Sequence, residues 1–298
     1  MRKALLVAAA AAIAALTPST ASAWGFTAHR FIMGRAIDLL PPELKPFFDQ
    51  HRDEIVARAI DPDLWRSVGW EDDPSHFLNL GAREFGAYPF PDLPREYGAA
   101  LEKFGANALK RLGTLPWREQ EAFGNLRRAF ESFGRESSFA ATDVVLFTGM
   151  ASHYIQDAHQ PLHASNNFDG QLTGNNGVHA RFETALVERY LPRLRVAPPK
   201  ATPIRKPRDA AFDILLKSHQ LVDPILKADS EAVAGKETYD DEYFEKFFAK
   251  VRPVLEQRLS DAIAANAGLI IGAWEEAGKP VVKLEAAPRP PAKVKKQP

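Results

Sequence analysis

Apolar residues along this chain recur three and four positions apart almost everywhere, and no segment alternates apolar with polar for long, so the pattern predicts helices and no sheet. A first helix is expected through "AHRFIMGRAIDLL", capped by Thr27 and ended by Pro41 and Pro42. A second is expected through "ELKPFFDQHRDEIVARAI", with Pro46 tolerated in its first turns. The following "DPDLWRSVGWEDDPSHFLNLGAREFGAYPFPDLP" is rich in Pro, Gly and Asp and reads as irregular, while its Trp and Phe argue for a functional loop and against disorder. Helical spacing returns in "REYGAALEKFGANALKRL", in "REQEAFGNLRRAFESF" and in the run ending "VVLFTGMASHY". The glycine- and asparagine-rich "ASNNFDGQLTGNNG" leads into a helix through "VHARFETALVERYL". A proline-rich, basic connection without a core pattern, "PRLRVAPPKATPIRKPR", precedes two long amphipathic segments that end near Trp274. The expected class is all-α, in a single domain over residues 24–278.

Both ends depart from this pattern. Arg2 and Lys3, the apolar "ALLVAAAAAIAAL" and the small residues Ala21-Ser22-Ala23 read as a secretory signal peptide over residues 1–23, whose removal makes Trp24 the N-terminus. The apolar stretch is too short to cross a bilayer and no second one follows, so a secreted or periplasmic protein without a transmembrane segment is expected. Beyond Trp274 aromatics cease, and residues 279–298 read as a disordered basic tail. The chain has no cysteine, so packing or bound metal must replace the disulfides that an exporting route permits. Its 38 basic and 38 acidic residues balance, but two basic residues lie in the leader and six, with Glu285, in the tail. The body keeps 30 basic against 37 acidic and has no bulk field to draw in a long polyanion.

The candidate chemistry is concentrated in "HYIQDAHQPLH", which places three of the eight histidines and an aspartate in residues 153–163. His153 and Asp157 project from one helical face, and the apolar run before them carries that face inward. Left unpaired there, they would cost several kcal/mol, on the order of a lost buried hydrogen bond or more. Spacing alone leaves two solutions open: a hydrogen-bonded His-Asp pair, or a metal site. His179 and Glu183 repeat the spacing on a second helix, and paired motifs on facing helices are how bundles build metal centres. His163 follows Pro161 and is placed by a turn, His76 lies 15 residues after Asp61, and His29 is five after Trp24. His51, His159 and His219 read as ordinary histidines.

Together "HYIQDAHQPLHAS", "GVHARFE" and the "WGFTAH" that leader removal exposes resemble the zinc-dependent phospholipase C and single-strand-specific zinc nuclease superfamily. The resemblance implies an exported all-helical enzyme with three zinc ions in one cleft. It implies one zinc on Asp61, His76, His153 and Asp157, and a second on His163, His179 and Glu183. A third falls to His29, a shared Asp157, and the amine and carbonyl oxygen of Trp24. The implied reaction is phosphate-ester hydrolysis, with Asp61 also orienting or deprotonating the attacking water. Phe77, Trp65 and Trp70 are candidates for a wall against a choline head group or a base, or for plain packing of their loop.

Glu183 and the short segment between His163 and His179 resemble the phospholipase branch, whereas the spacing of Trp24 and His29 resembles the nuclease branch. The reading is a phospholipase C-like phosphodiesterase. The alternatives are a single-strand-specific nuclease and, from a different class, a catalytically silent zinc-binding protein. Phospholipid or single-stranded nucleic acid is the implied partner, with peripheral membrane contact and a monomeric state.

Overall fold

A computed structural model describes residues 24–69 and 72–284, and among these there are helices and turns but no strand. Residues 1–23, expected as a signal peptide, Trp70, Glu71 and residues 285–298 lie outside the described residues. At the centre is the helix Ala140–Asp157, which carries the opening motif and packs most extensively on the helix Leu115–Gly134. The N-terminal helix Phe26–Ile37, the short helix Arg52–Arg58 and the long C-terminal helix Asp241–Glu276 also pack on it. One continuous core results, with Phe47, Phe48, Phe130, Phe247 and Phe248 almost wholly buried, each contributing roughly 2–3 kcal/mol by leaving water.

Several boundaries differ from the periodicity. Thr27 does not cap the first helix; its N-cap is Gly25, and the Thr27 hydroxyl reaches Glu188 instead. The second expected helix is two, Lys45–Gln50 and Arg52–Arg58, broken at His51. "DPDLWRS", expected irregular, is the helix Asp61–Ser67, with Pro62 in its first turn, where the missing N–H costs nothing. "REYGAALEKFGANALKRL" divides at Gly105, whose φ of 77° no helix accepts.

The proline-rich connection has more core character than its sequence suggests. Leu194, Val196, Ala201 and Ile204 pack on the core, and the Ile204 amide donates to the Gly268 carbonyl at 2.9 Å. Gly268 and Gly272, one turn apart, make this possible: a Cβ on either would overlap the carbonyl oxygen of Thr202 or Ile204. The segment expected as tail also begins on the body. Trp274 Nε1 donates to the Pro280 carbonyl at 2.9 Å, and Lys283 pairs with Glu136 at 3.0 Å. Among the described residues no helix is long and apolar enough to cross a membrane.

Candidate metal centre

The centre is assembled around His153 and Asp157. A Cβ on Gly149 would lie 2.7 Å from Arg58 Cβ, so glycine there lets the central helix press against the end of helix Arg52–Arg58. One turn later His153 Nδ1 donates to the Ala59 carbonyl at 2.8 Å, which leaves Nε2 facing inward. Asp157, fully buried, receives what that face gathers. Its Oδ2 lies 3.0 Å from His76 Nδ1 and 3.2 Å from His153 Nε2; its Oδ1 lies 3.4 Å from His29 Nε2 and 3.6 Å from His163 Nδ1. Five imidazoles and three carboxylates thus converge in three buried groups, the first two sharing His153: His29, His153 and Asp157; Asp63, His76 and His153; His163, His179 and Glu183.

The carboxylate beside His76 and His153 is Asp63, not Asp61. Asp61 opens its helix, where a negative charge suits the helix dipole, and its Oδ2 holds Arg58 at 3.1 Å near the surface. Two residues on, the helix has turned by more than half a circle, and the 3 % exposed Asp63 side chain points inward, 3.8 Å from His76 Nδ1 and 4.0 Å from His153 Nε2. Ala59 and Ile60, one turn earlier, are buried on the same side. That periodicity was the available signal, and it was hidden because the segment read as a loop.

Trp24 and Gly25 are seated between the two motif helices. The Trp24 indole donates to the Gln156 carbonyl at 2.9 Å, and a Cβ on Gly25 would meet Thr184 Oγ1 at 2.6 Å. His179 and Glu183 face each other at 2.9 Å across a π-helical turn, Arg181–Ala185, of the kind that often marks functional sites. His159, two residues past the end of the central helix, is in none of the three groups but is buried, and its Nδ1 donates to the Ile155 carbonyl in the last turn of that helix.

Sequence reasoning missed the groups that orient these rings. Gln156 Oε1 holds His29 Nδ1 at 2.7 Å, the Phe168 carbonyl accepts from His179 Nδ1 at 2.9 Å, and Gln160 Nε2 donates to Glu183 at 2.8 Å. Behind His76, Asp72 faces Nε2 at 3.6 Å and accepts from Tyr154 at 2.6 Å, while Arg118 donates to the same phenol at 3.1 Å. Such outer partners fix ring orientation and ligand basicity. Tyr154, Gln156 and Gln160 lie within the motif of residues 153–163, but the groups they reach, Asp72, His29 and Glu183, come from other segments, so residue spacing does not mark the contacts.

Burial and mutual charge set the protonation states. Burial, and for His29 the charge of His153, pushes His29 and His163 down, toward the neutral imidazole that ligates metal. Burial alone would raise Asp157, but His153, His163 and His29 hold it well below the usual carboxylate range. Burial opposes charge on His76 too, yet Asp157 and Asp72 outweigh it and lift its pKa to about 9. Burial raises Glu183 to about 7, against the pull of His179 and Gln160.

Despite this crowding, His29 Nε2, His163 Nδ1, Asp157 Oδ1, Glu183 Oε1 and both oxygens of Asp63 have no hydrogen-bond partner although buried. Orphaned imidazole nitrogens and carboxylate oxygens facing one another are the donor set zinc accepts, so the residues fit bound zinc. The centre opens on a cleft of about 440 Å³ lined by His76, His163 and His179 together with Phe77, Phe168 and Arg66. Trp65 does not line it, and Trp70 lies outside the described residues.

No curated protein matches the chain. A family model described as zinc dependent phospholipase C matches residues 28–246, which include all three buried groups. An all-helical body and a zinc-type donor set opening on one cleft agree with that match, and the chain belongs to the zinc-dependent phospholipase C family.

Proposed function

We propose that the protein is an exported zinc phosphodiesterase that cleaves phospholipids in the manner of a phospholipase C. One observation carries the reading: two ligand groups share His153, the third adjoins them where His163 Nδ1 comes within 3.6 Å of Asp157 Oδ1, and His76, His163 and His179 line a single cleft, an arrangement suited to acting on one phosphate rather than to holding a structural ion. Asp63, His76, His153 and Asp157 would hold one zinc. His163, His179 and Glu183 would hold a second, and His29, Asp157 and the amine and carbonyl oxygen of Trp24 a third. Bound zinc supplies Lewis acidity, which acidifies water and stabilises charge on phosphoryl oxygens.

The protein's own groups then have defined tasks. Asp63, whose oxygens lack donors, orients the attacking water and takes its proton, the role the sequence alone gave to Asp61. Gln156 and the carbonyls of Ala59 and Phe168 keep the imidazole tautomers fixed, and Gln160 holds the Glu183 carboxylate. Water adds to phosphorus as the bond to the glycerol oxygen breaks. The glycerol oxygen leaves with a proton as diacylglycerol, and the head group leaves as its phosphate monoester.

The spacing of Trp24 and His29 favours a second reading, single-strand-specific nuclease. Protein beginning at Trp24 should be assayed on phosphatidylcholine vesicles, single-stranded DNA and RNA, with and without chelator. Chelator-sensitive release of diacylglycerol is expected. Nucleotide release without lipid cleavage would establish the nuclease instead, and no cleavage of either would end the phosphodiesterase reading.

A further inference from the structure

Midway between His179 and Glu183 the chain buries a charge that ligates nothing. Arg181 opens the π turn, and its side chain is 10 % exposed beside that of Asp229, at 1 %. Arg181 Nε donates to Asp229 Oδ1 at 3.1 Å, and Nη2 donates to both carboxylate oxygens, at 3.0 and 3.1 Å. Nε also donates to the Tyr243 phenol at 2.9 Å, and that phenol donates in turn to Asp229. Nη1 and Nη2 reach the carbonyls of Asn176 and Asn175, at 2.8 and 3.1 Å, and the guanidinium carbon lies 3.9 Å from the centre of the Tyr239 ring. Asn175 closes the knot by donating to Asp229 at 2.7 Å.

These partners come from three elements. Asn175 and Asn176 end the glycine-rich loop, Asp229 lies on the helix Val222–Val233, and Tyr243 is in the first turn of the C-terminal helix. The loop is also tied to the ligand segment: Asp169 accepts from the Gly177 and His179 amides at 3.0 and 3.3 Å. A Cβ on Gly177 would come within 2.9 Å of Arg181 Nη1, so the last glycine of the loop makes room for the guanidinium. Stability alone does not account for such a pair. Withdrawing two charges from water costs about as much as their attraction returns, and well-packed apolar residues of similar volume commonly hold a fold equally well. A forked guanidinium adds direction, because paired donors on one carboxylate fix the angle at which their segments meet. That direction is imposed at the turn where His179 Nε2 lies 2.9 Å, and His163 Nε2 3.8 Å, from Glu183 Oε2.

We propose that Arg181, held by Asp229 and Tyr243, is a positioning residue for the second zinc: it fixes the π turn so that His179 and Glu183 present their ligand atoms to one point shared with His163. The inference rests on the zinc reading of this centre and is independent of whether the substrate is lipid or nucleic acid.

The test compares zinc affinity, by competition with a chromogenic chelator, and the Tm of the metal-free form, for protein beginning at Trp24 and its variants. Arg181→Met with Asp229→Leu replaces the ion pair by apolar side chains, so the metal-free double variant should melt within a few degrees of the parent. It should nonetheless hold one zinc about tenfold or more weakly than the parent does, in the pattern of the ligand variant His179→Ala, and keep the others. Arg193→Met, which removes an exposed arginine paired with Glu245, should leave every zinc affinity unchanged. Should the double variant prove unstable, Arg181→Lys, which keeps the charge and loses the fork, decides by the same criterion. Parental affinity for every zinc in the folded variant would confine Arg181 to packing and overturn the proposal. So would equal weakening of all the bound zinc, which marks a general loosening. A parent that takes up no zinc would instead end the zinc reading itself, and the proposal with it.

Discussion

At Asp63 both carboxylate oxygens are buried without a donor, whereas Asp61 spends its charge on Arg58 near the surface. Asp63→Asn should therefore lower zinc-dependent hydrolysis by on the order of a hundredfold or more, and Asp61→Asn should change it by less than about threefold. Kinetics of the two purified variants decide between them, and the reverse order would restore Asp61. A second residue makes a pH-dependent claim unconnected with metal. Glu119 is fully buried without a partner, and burial pushes its pKa well above the usual value. The folded state thus holds the proton more tightly than the unfolded one, so stability is greatest at or below the unfolded pKa and falls as pH rises toward the folded value. Glu119→Gln, which resembles the protonated form, should match the parent near the low end of that window. Above it the variant should gain about 1.4 kcal/mol per pH unit relative to the parent, measured by urea denaturation across the range. A difference that does not vary with pH would show that Glu119 is charged when folded.

Elements explain which parts of the centre were legible. The pairs His153 with Asp157 and His179 with Glu183 obey a helical period, so their shared faces could be read before any coordinates. Asp63 was harder to read, because its helix has only seven residues, is rich in Asp and has a proline in its first turn, and the apolar neighbours that share its side, Ala59 and Ile60, lie before the helix begins. The π turn at Arg181–Ala185 was equally hidden; Arg181, its first residue, bonds Asp229 at 3.0 Å and Tyr243 at 2.9 Å, partners distant in the chain. Close approach of helices is another relation that no spacing records. Gly149→Ala should force the central helix away from Arg58, at a cost of roughly 1–3 kcal/mol, and pull His153 from the Ala59 carbonyl. Reduced zinc affinity in this variant, found by competition with a chromogenic chelator, would confirm that the glycine positions the ligand. Unchanged affinity would confine its role to packing.

For the molecule as a whole, the helical class followed from periodicity, and the packing of the proline-rich strap on Gly268 and Gly272 did not, because a strap is held by backbone approach and not by an apolar pattern. Without disulfides, the charges gathered at the centre should make the metal-free protein much less stable. Stripping zinc should lower Tm by several degrees or more, and an unchanged melting curve would remove metal from the account of stability. The N-terminus adds a sharper demand. Protein with one glycine added before Trp24 presents an amide where the free amine should ligate, so it should retain less zinc and hydrolyse more slowly than protein beginning at Trp24. The most direct test of the shared centre is a titration of metal-free protein with zinc, following hydrolysis of bis(p-nitrophenyl) phosphate, for the parent and for Asp157→Asn. The parent's activity should rise from zero and saturate near three equivalents, and the variant should bind fewer ions and remain nearly inactive. Activity that ignores added zinc, or an Asp157→Asn titration that overlays the parent's, would contradict a zinc centre built around Asp157.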